Sequence, residues 1–328
     1  MSPPSASVSA LAGRTILVTG ATGFIASAIV KRLAPIDGTI RRMIRNPASA
    51  PSGRANVQDV IGDVRDRETW AAALPGADVV IHLAAETSAA AAEADPASSL
   101  ATNVDALRHA IAIAATLDRP PTIVAAGTAT QVGLTDSTTP VCEDQSDRPA
   151  TVYDTHKCMA EHLLERASAD GIVRATTLRL TNVYGPGPAG SRHDRGWLTA
   201  SIRRAMAGEA LTVFGIGDAV RDYVYVDDVA EAFFAAACGV DALSGKHFLI
   251  GTGTGTSLRD ALLLVSEHVA RRTGRRVAVT SVEAPASLSP IERRRFVADS
   301  RRFQDATGWR PAVTLNAGIE RTIASVQR

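Results

Sequence analysis

Short apolar segments alternate with amphipathic segments through the first 180 residues of the chain. The apolar runs predict buried strands, and the segments with apolar positions three and four residues apart predict helices. The predicted strands are Thr15–Thr19, Thr39–Ile44, Asn56–Ile61, Val79–Leu83, Thr122–Ala126 and Ala175–Leu180. The predicted helices are a stretch that ends at Leu33, then Glu68–Leu74, Ala97–Ala115 and Val152–Ala169. This order predicts an α/β protein built on a doubly wound parallel sheet.

The alternation is lost after Asn182, where a Gly/Pro stretch spans Tyr184–Gly190. Such a stretch does not run through the interior of a sheet, so a second region is expected there. Its predicted elements are a helix over Leu198–Ala207, a return segment over Arg221–Val226 that enters a helix at Asp227, and a last helix after Trp309-Arg-Pro311. We expect one domain over 13–181, with 219–250 returning to it, and a smaller α/β region over 182–218 and 251–328. Residues 1–12 are rich in Ser, Ala and Pro and are expected to form a disordered tail rather than a signal peptide.

The composition excludes several classes of function. With 35 basic and 34 acidic residues the net charge is +1, which gives no reason to expect a nucleic acid or a membrane as a partner. The three cysteines, Cys142, Cys158 and Cys238, are too scattered for a disulfide framework or a tetrahedral metal site, and the histidines do not cluster with carboxylates at ligand spacing. We therefore expect reduced thiols, no metal and a cytoplasmic location. No apolar run is long enough to span a bilayer.

Tyr153 and Lys157 carry the clearest chemical signal. They are four residues apart at the start of a predicted helix, so they share one face with β-carbons about 6 Å apart. An ammonium at that distance lowers the cost of ionising a phenol and makes it a proton donor or acceptor near neutral pH. A surface helical pair is the alternative that the spacing leaves open.

A glycine-rich turn supports the catalytic interpretation. The strand Thr15–Thr19 runs directly into Gly20–Ala26 and the first helix, in the order strand, turn, helix. Gly20 and Gly23 allow a tight turn, and the free amides and positive dipole end of the helix suit a pyrophosphate. The two signals together predict an enzyme that uses a dinucleotide.

Several further motifs in a fixed order resemble the extended short-chain dehydrogenase/reductases, within the group of nucleotide-sugar epimerases, dehydratases and ketoreductases. The resemblance runs from Thr15 to about Ile323 and implies a Rossmann fold with a smaller C-terminal substrate-binding region. Its landmarks are Gly20–Ala26, Gly62–Val64, His82–Ala85, Asn103, Gly127–Thr128, Tyr153 with Lys157, Asn182–Pro186, Arg221–Asp228 and Gly308–Pro311.

The resemblance implies four catalytic residues. The Thr128 hydroxyl would bond the substrate carbonyl or alkoxide, Tyr153 would deliver or accept the proton, and Lys157 would lower the tyrosine pKa and hold the nicotinamide ribose. Asn103 matches the active-site asparagine of the family, but it also lies where a helix could need a polar kink. Thr128 could alternatively be a strand-end cap.

The resemblance also implies a set of cofactor contacts. These are Gly20, Thr22, Gly23, Phe24 and Ile25 in the turn, Asp63 and Val64 against adenine, Leu83, Ala84 and Ala85 at the fourth strand, and Tyr153 with Lys157. Asp63 could instead be a turn residue. Ala26 replaces the third glycine of the motif, and we expect its methyl group to loosen helix–strand packing slightly.

Arg45 predicts the type of cofactor. An acid at the end of the second strand accepts hydrogen bonds from the 2′-hydroxyl of NAD, whereas an arginine there pairs with the 2′-phosphate of NADP. The segment Ile40–Arg45 contains three arginines and no acid. NADP(H) is therefore the expected cofactor, and NAD(H) the alternative.

On the substrate side, the resemblance assigns contacts to Asn182, to Thr212 and Phe214 beside the base, and to Arg221 on the diphosphate. A salt bridge to Asp222 or Asp227 is the alternative role for Arg221. Relatives often carry an Arg-Pro-Gly-Asp segment where this chain has Ser289–Glu292, so their nucleotide arginine is missing in register. Arg293, Arg294 or Arg295 could replace it, and the sequence does not decide among them.

The expected reaction is NADPH-dependent reduction of the C4 ketone of a nucleotide-linked, dTDP by first choice, 4-keto-6-deoxyhexose. A 4,6-dehydratase would carry Asp-Glu directly after the catalytic threonine, where this chain has Ala129-Thr130. The alternatives are an NAD-dependent nucleotide-sugar 4-epimerase and a non-catalytic NADP-binding sensor. Relatives often form homodimers through the helices that carry Asn103 and Tyr153, and a homodimer is expected here, although the Ala-rich face of Ala106–Ala115 could equally be intrachain core.

Overall fold

The computed structural model describes residues 8–135, 139–188, 196–285 and 290–326. Its strands are β1 (Thr15–Thr19), β2 (Thr39–Ile44), β3 (Asn56–Ile61), β4 (Val79–His82), β5 (Thr122–Thr128), β6 (Arg174–Leu180), β7 (Asn182–Tyr184), β8 (Leu211–Phe214), β9 (Val220–Tyr225), β10 (Lys246–Ile250), β11 (Gly255–Ser257) and β12 (Val279–Val282). Its α-helices are α1 (Phe24–Leu33), α2 (Arg67–Ala73), α3 (Ala89–Ala94), α4 (Pro96–Leu100), α5 (Ala106–Ala114), α6 (Val152–Ala169), α7 (Trp197–Met206), α8 (Val226–Leu243), α9 (Leu258–Thr273), α10 (Arg301–Thr307) and α11 (Leu315–Val326).

Seven strands form a parallel sheet in the order β10-β6-β5-β4-β1-β2-β3. The central strands are buried on both faces, which is why they read as nearly continuous apolar runs. Helices α1 and α8 pack on one face, and α2, α5 and α6 pack on the other, each with its own apolar core. This is the Rossmann fold with the strand order that places the ends of β1 and β4 side by side, where dinucleotides bind in such folds.

The second region forms around two small sheets. One has the order β11-β9-β7, and the other pairs β12 with β8. Helices α7, α9 and α11 cover them and share a separate apolar core that includes Tyr184, Ile202 and Val265. The sequence analysis expected the whole of 219–250 to return to the first domain, and the structure differs from this in one respect. Strand β9 belongs to the small sheet, and only α8 and β10 rejoin the large one.

Two sequence predictions need correction. Residues 1–7 of the predicted tail lie outside the described residues, but Val8–Leu11 form a 3-10 helix, and Leu11 is buried in the main core. The single helix predicted over Ala97–Ala115 is interrupted, because Ala101–Asp105 form a turn of π-helix between α4 and α5. Asn103 therefore lies in an irregular turn between two helices.

The Ala-rich face of α5 resolves an alternative that the sequence left open. Ala106, Ala110 and Ala114 are fully buried against the main sheet and α2, so this face is intrachain core. The homodimer stays a prediction. Within the described ranges, no helix combines the length and apolar character that crossing a bilayer requires.

Candidate active site

Helix α6 places Lys157 over the carboxyl end of β5. The helix begins after Thr151, whose side-chain oxygen accepts the N–H of Asp154 at 3.1 Å, an ordinary N-cap. One turn later, Nζ of Lys157 donates to the carbonyl oxygen of Ala126 at 2.7 Å. Burial lowers the pKa of Lys157 to about 8, and the charge of Glu161 opposes that shift. The ammonium is therefore buried beside the strand end, and Tyr153 lies one turn before it, partly exposed.

Thr128 ends β5 and lies in a chain of hydroxyl groups. Its Oγ1 is 2.9 Å from Oγ1 of Thr130, and Thr130 donates in turn to the carboxylate of Asp154. The backbone N–H of Thr128 bonds Oε1 of Gln131 at 3.2 Å, which completes a capping box for the 3-10 turn Ala129–Val132. The strand-end cap is thus observed for Thr128, and its contact with a substrate stays a prediction. Asp154 follows Tyr153 directly. The hydrogen bonds from Thr128 through Thr130 to Asp154 therefore connect the end of β5 to the first turn of α6.

The ends of β1 and β4 are joined by a buried polar pair. Oγ1 of Thr19 accepts the backbone N–H groups of Leu83 and Ala84, both at 3.1 Å, and lies 2.9 Å from Nδ1 of His82. Both acceptor sites of the hydroxyl are used, so the hydroxyl donates to Nδ1. His82 is consequently neutral with its proton on Nε2, and burial, with the charge of Lys157, lowers its pKa to about 3.

The glycine turn has the shape that a pyrophosphate requires. Gly20 has a φ of +62°, and a β-carbon there would lie 3.0 Å from Cα of Ala84, so a side chain would close the crevice. Gly23 N-caps α1 without a side-chain hydrogen bond. Phe24 and Ile25 pack against the cores, while Thr22 is exposed at the turn. Ala26 is buried where relatives have glycine. The residues therefore fit a dinucleotide, with Leu83, Ala84 and Ala85 partly exposed at the facing strand end.

Asn103 occupies the π-helical turn and is almost fully buried. Its Oδ1 accepts the N–H of Glu86, and its Nδ2 donates to the carbonyl of Glu86 and to Oγ of Ser99, all within 3.2 Å. Ser99 also lies 2.9 Å from Nδ1 of His156 on α6. Asn103 thus lies in a π-helical irregularity and its side chain holds the loop after β4, while its role in the active site stays a prediction.

The three arginines of the segment Ile40–Arg45 have different surroundings. Arg42 is buried and pairs with Asp59, and Arg41 donates to the carbonyls of Ala73 and Pro75, so both stabilise the fold. Arg45 is exposed at the end of the strand and, among the described residues, forms no hydrogen bond or ion pair. Its charge contributes to the low pKa of Asp63. Among these three arginines, Arg45 is therefore the one that the described fold does not engage, and its contact with a 2′-phosphate stays a prediction.

Asp63 and Val64 are engaged within the protein. Asp63 accepts the backbone N–H and the guanidinium of Arg65, and the hydrogen bond from the Arg65 side chain is the main reason that its pKa is lowered. Val64 is buried beside Trp70, whose Nε1 donates to the Val64 carbonyl at 2.7 Å. The alternative of a turn residue is therefore observed for Asp63, and the adenine contacts stay predictions.

Arg221 is buried, and its side chain fixes the backbone of residues 292–294. Its guanidinium donates to the carbonyls of Val220, Glu292 and Arg294, at 3.1, 2.7 and 2.6 Å. Its nearest carboxylate oxygen is Oε2 of Glu292 at 3.6 Å. Neither Asp222 nor Asp227 pairs with it. Asp222 instead accepts N–H groups from Thr252, Gly253 and Ala298.

The guanidinium of Arg294, unlike that of Arg221, is partly unpaired among the described residues. Its Nε and Nη1 are buried and have no hydrogen-bond partner within the described residues. Burial lowers its pKa to about 10, the neighbouring charge of Arg221 adds to the shift, and the charge of Asp154 opposes it. Arg293 and Arg295 are exposed, and Arg295 donates to the carbonyl of Asp218. Ser289, the first residue of the segment Ser289–Glu292, lies outside the described residues.

Strand β8 exposes one face. Thr212 and Phe214 point outward, with Phe214 48% exposed, while Leu211 and Val213 are buried. Asn182 begins β7 opposite Tyr223 of β9 and is partly exposed. These positions are accessible at the second region, and their substrate contacts stay predictions.

One cluster of charged groups was missed because its members are far apart in sequence. Nδ1 of His247 lies 3.3 Å from carboxylate oxygens of both Glu161 and Glu165, a grouping that could hold a metal ion. The guanidinium of Arg179, however, already pairs with Glu161 and with Asp147. The expectation that no histidine lies among carboxylates was therefore wrong for the fold, although an arginine supplies the positive charge there.

A model of the NAD dependent epimerase/dehydratase family matches residues 16–251. The chain belongs to this family. It is an extended short-chain dehydrogenase/reductase, as the resemblance implied. The family is described as NAD dependent, and we call the glycine turn with the crevice beside β4 the cofactor side, because dinucleotides bind at this point of such folds.

Three relatives illustrate the likeness. The UDP-glucose 4-epimerase of Mycolicibacterium smegmatis is 31% identical over 317 residues, which cover 94% of this chain and 96% of the relative. The UDP-glucose 4-epimerase of Thermus thermophilus, solved in complex with NAD, has a TM-score of 0.78 and 27% identity, covering 95% of this chain and 99% of its own. RMD from Pseudomonas aeruginosa, complexed with NADPH, has a TM-score of 0.78 at 22% identity over 96% and 99% of the two chains, which shows the shared fold.

Within this member of the family, sequence reasoning missed Asp154 and left Arg294 undecided. Asp154 follows Tyr153, and its only signal in the sequence was a carboxylate on the first helical turn. The argument against an acid beside Thr128 considered only Ala129 and Thr130, whereas the structure brings Asp154 to Thr130 from α6. Both omissions concern contacts between segments distant in the chain.

Proposed function

We propose that this protein is an NADPH-dependent ketoreductase that reduces the C4 ketone of a nucleotide-linked 4-keto-6-deoxyhexose. The observation that carries the proposal is Arg45, exposed and unpaired among the described residues at the end of β2, where an acid would read NAD. Its two neighbouring arginines are occupied in the fold. Net reduction of a ketone consumes one reduced cofactor in each turnover, and NADPH is proposed to be that cofactor.

Tyr153 is the proposed general acid. The nicotinamide, when bound, supplies the hydride that reaches C4. The phenol of Tyr153 then donates its proton to the developing alkoxide, and the buried ammonium of Lys157 favours the tyrosinate left behind. Lys157 is kept in place by the Ala126 carbonyl, which fixes its nitrogen beside the end of β5. Thr128, at the end of that strand, contacts the same substrate oxygen.

We assign the anionic part of the substrate to Arg294. Two buried nitrogens of its guanidinium have no acceptor among the described residues, and a diphosphate would provide acceptors. Arg221, which the sequence favoured for this role, is largely committed to three carbonyls and aligns the Glu292–Arg294 segment. The outward residues Thr212 and Phe214 are proposed to lie beside the base, and Asn182 beside the sugar.

A 4-epimerase is the second candidate. The specific observation in its favour is the 31% identity to a UDP-glucose 4-epimerase over nearly the whole of both chains. An epimerase oxidises and reduces the same sugar and retains its cofactor. It therefore needs the same Tyr153 and Lys157, and the two functions differ in whether reduced cofactor is consumed. The intact pair argues against a non-catalytic sensor.

The deciding experiment supplies dTDP-4-keto-6-deoxyglucose, generated in situ, with NADPH or NADH in separate reactions and follows the loss of reduced nicotinamide absorbance. The ketoreductase predicts one NADPH oxidised per sugar reduced, with NADPH well ahead of NADH. Absence of net oxidation, together with NAD that stays bound through gel filtration, would replace this proposal with the epimerase.

A further inference from the structure

A buried histidine of α6 ends a line of hydrogen bonds that begins at the loop after β4. His156 directly precedes Lys157, and helix α6 packs against α4 and the π-helical turn. Nδ1 of His156 lies 2.9 Å from Oγ of Ser99, and that oxygen lies 3.2 Å from Nδ2 of Asn103. His156, Ser99 and Asn103 are only 8%, 1% and 2% exposed, so water does not compete freely for these bonds.

The direction of this line follows from the groups that it joins. Oδ1 of Asn103 accepts the N–H of Glu86 and Nδ2 donates to the Glu86 carbonyl, both at 3.1 Å, which fixes the orientation of the amide. The second proton of Nδ2 goes to Oγ of Ser99. Among the described residues, the proton of the buried Ser99 hydroxyl has Nδ1 of His156 as its acceptor. His156 is therefore neutral and carries its proton on Nε2. Burial lowers the pKa of His156, against the charge of Asp105, and so favours this neutral form.

The other end of the line lies on the cofactor side. Glu86 directly follows the segment Leu83–Ala85, which is partly exposed at the end of β4. The backbone N–H and carbonyl of Glu86 both bond to Asn103, so the loop takes its position from that one side chain. Asn103 itself lies in an irregular turn, where the regular helical hydrogen bonds are interrupted. Ser99 and His156 connect that turn to α6, a regular helix of 18 residues.

We propose that His156 is a positioning residue that acts through Ser99 and Asn103 to hold the loop after β4 in the shape that the dinucleotide requires. The helix that carries Tyr153 would thereby align the proposed proton donor and the cofactor from a single element. The inference goes beyond the proposed reduction, because any reaction of the family that uses the dinucleotide needs the same alignment. Sequence analysis gave His156 no role, since Ser99 lies 57 residues away along the chain.

Binding of the dinucleotide is the first measurement. Fluorescence titration of the full-length protein gives the dissociation constants of NADPH and NADH without any sugar. Ser99→Ala and His156→Leu should each weaken binding of the dinucleotide that the wild type prefers about threefold to tenfold, the worth of one hydrogen bond. The double variant should bind no more weakly than either single variant, because both changes break the same line. Losses that add would mean that the two residues act separately, and they would overturn the proposal.

A conservative variant separates positioning from packing. His156→Asn places an acceptor oxygen close to the position of Nδ1, so it should retain the wild-type affinity, whereas His156→Leu fills the space without an acceptor. Thr102→Val is the matched control for Ser99→Ala, because the Thr102 hydroxyl belongs to the same turn and, among the described residues, bonds only the Ser98 carbonyl. It should bind the dinucleotide as the wild type does. Equal losses in His156→Asn and His156→Leu would show that packing alone matters and would refute the positioning role.

Hydrogen exchange gives a readout that needs neither cofactor nor sugar. The amide of Glu86 donates to Asn103, so in the cofactor-free protein the peptide over residues 83–88 should exchange faster in Ser99→Ala and His156→Leu. In His156→Asn it should exchange at the wild-type rate. Unchanged exchange in both disrupting variants contradicts the proposal. Neither measurement uses a sugar, so a wild-type protein that binds the dinucleotide but does not reduce the 4-keto sugar would refute the proposed function and leave this inference standing.

Discussion

The cofactor side and the substrate side of this molecule satisfy their buried polar groups in different ways. At the ends of β1 and β4, the Thr19 hydroxyl is paired within the protein with Nδ1 of His82 and with the amides of Leu83 and Ala84. The substrate side is the second region with the segment around Arg294. Two buried nitrogens of Arg294 and the buried hydroxyl of Tyr223 have no hydrogen-bond partner there among the described residues. The polar groups named on the first side form their hydrogen bonds within the protein, whereas the second side has buried donors without a partner among the described residues, which we propose a ligand satisfies.

The largest expected effect lies where the two sides meet. Tyr153→Phe should lower kcat about 10²–10⁴-fold, because it removes the proposed general acid without removing the ring. NADPH binding, measured by fluorescence titration, should change little. If the variant reduced the sugar as fast as the wild type, the acid would have to be another group.

Arg294→Ala tests the unpaired guanidinium of the substrate side. Losing a charge-assisted contact should weaken binding of dTDP about tenfold to hundredfold, while binding of thymidine, which lacks the phosphates, stays the same. Arg293→Ala, next to it and exposed, is the matched control. Equal dTDP affinity in both variants would return the diphosphate to Arg221.

Arg45→Ala makes the corresponding test on the cofactor side. The KM for NADPH should rise about tenfold or more, and the KM for NADH should stay nearly constant, since only NADPH carries the 2′-phosphate. Arg67→Ala removes another exposed arginine at the start of α2 and controls for net charge. Parallel changes in both cofactors would mean that Arg45 does not read the 2′ group.

The same contrast explains what the sequence could predict. Strands β1, β2 and β3 and helix α6 were predicted with the bounds that they have in the structure, because a local hydrophobic pattern and a local cap define each of them. The glycine turn was likewise a local signal. The roles of Asp154, Arg294 and Arg221 depend on which distant segments meet, and a single sequence carries no direct record of that. The π-helical turn at Asn103 was considered only as an alternative.

Burial of the charged Lys157 side chain lowers the free energy of unfolding. Burial lowers its pKa from 10.5 to about 8, so the charged lysine destabilises the fold below pH 8. Lys157→Met should raise the free energy of unfolding of the cofactor-free protein at pH 7 by about 2–3 kcal/mol, allowing for the lost hydrogen bond to Ala126. Between pH 8 and 10.5 the unfolded chain binds the proton and the folded protein does not, so wild-type stability should rise toward that of the variant. Urea unfolding at several pH values measures both, and a less stable variant at pH 7 would contradict the argument.

His82 makes the most specific prediction, on the cofactor side. Its pKa is about 3 in the folded protein, against 6.5 in the unfolded chain. As the pH falls below 6.5, the unfolded chain takes up a proton that the folded protein refuses, so stability is lost through this window by up to about 1.4 kcal/mol per pH unit. His82→Gln keeps an acceptor for Thr19 but does not titrate. Between pH 7 and pH 5 the variant should therefore lose about 2 kcal/mol less than the wild type.

The control is His162→Gln, the same replacement at an exposed histidine on α6, measured by the same urea titrations. Carboxylates titrate in the wild type and in both variants, so the difference between the variants isolates His82. If His82→Gln and the wild type lost stability in parallel, His82 would have to accept a proton while folded. That would require the Thr19 hydroxyl to turn away from Nδ1, and the amides of Leu83 and Ala84, which face the cofactor crevice, would then lose the acceptor that holds them. The pH dependence of unfolding in His82→Gln thus tests whether the hydrogen bonds of Thr19 to His82, Leu83 and Ala84 persist in acid.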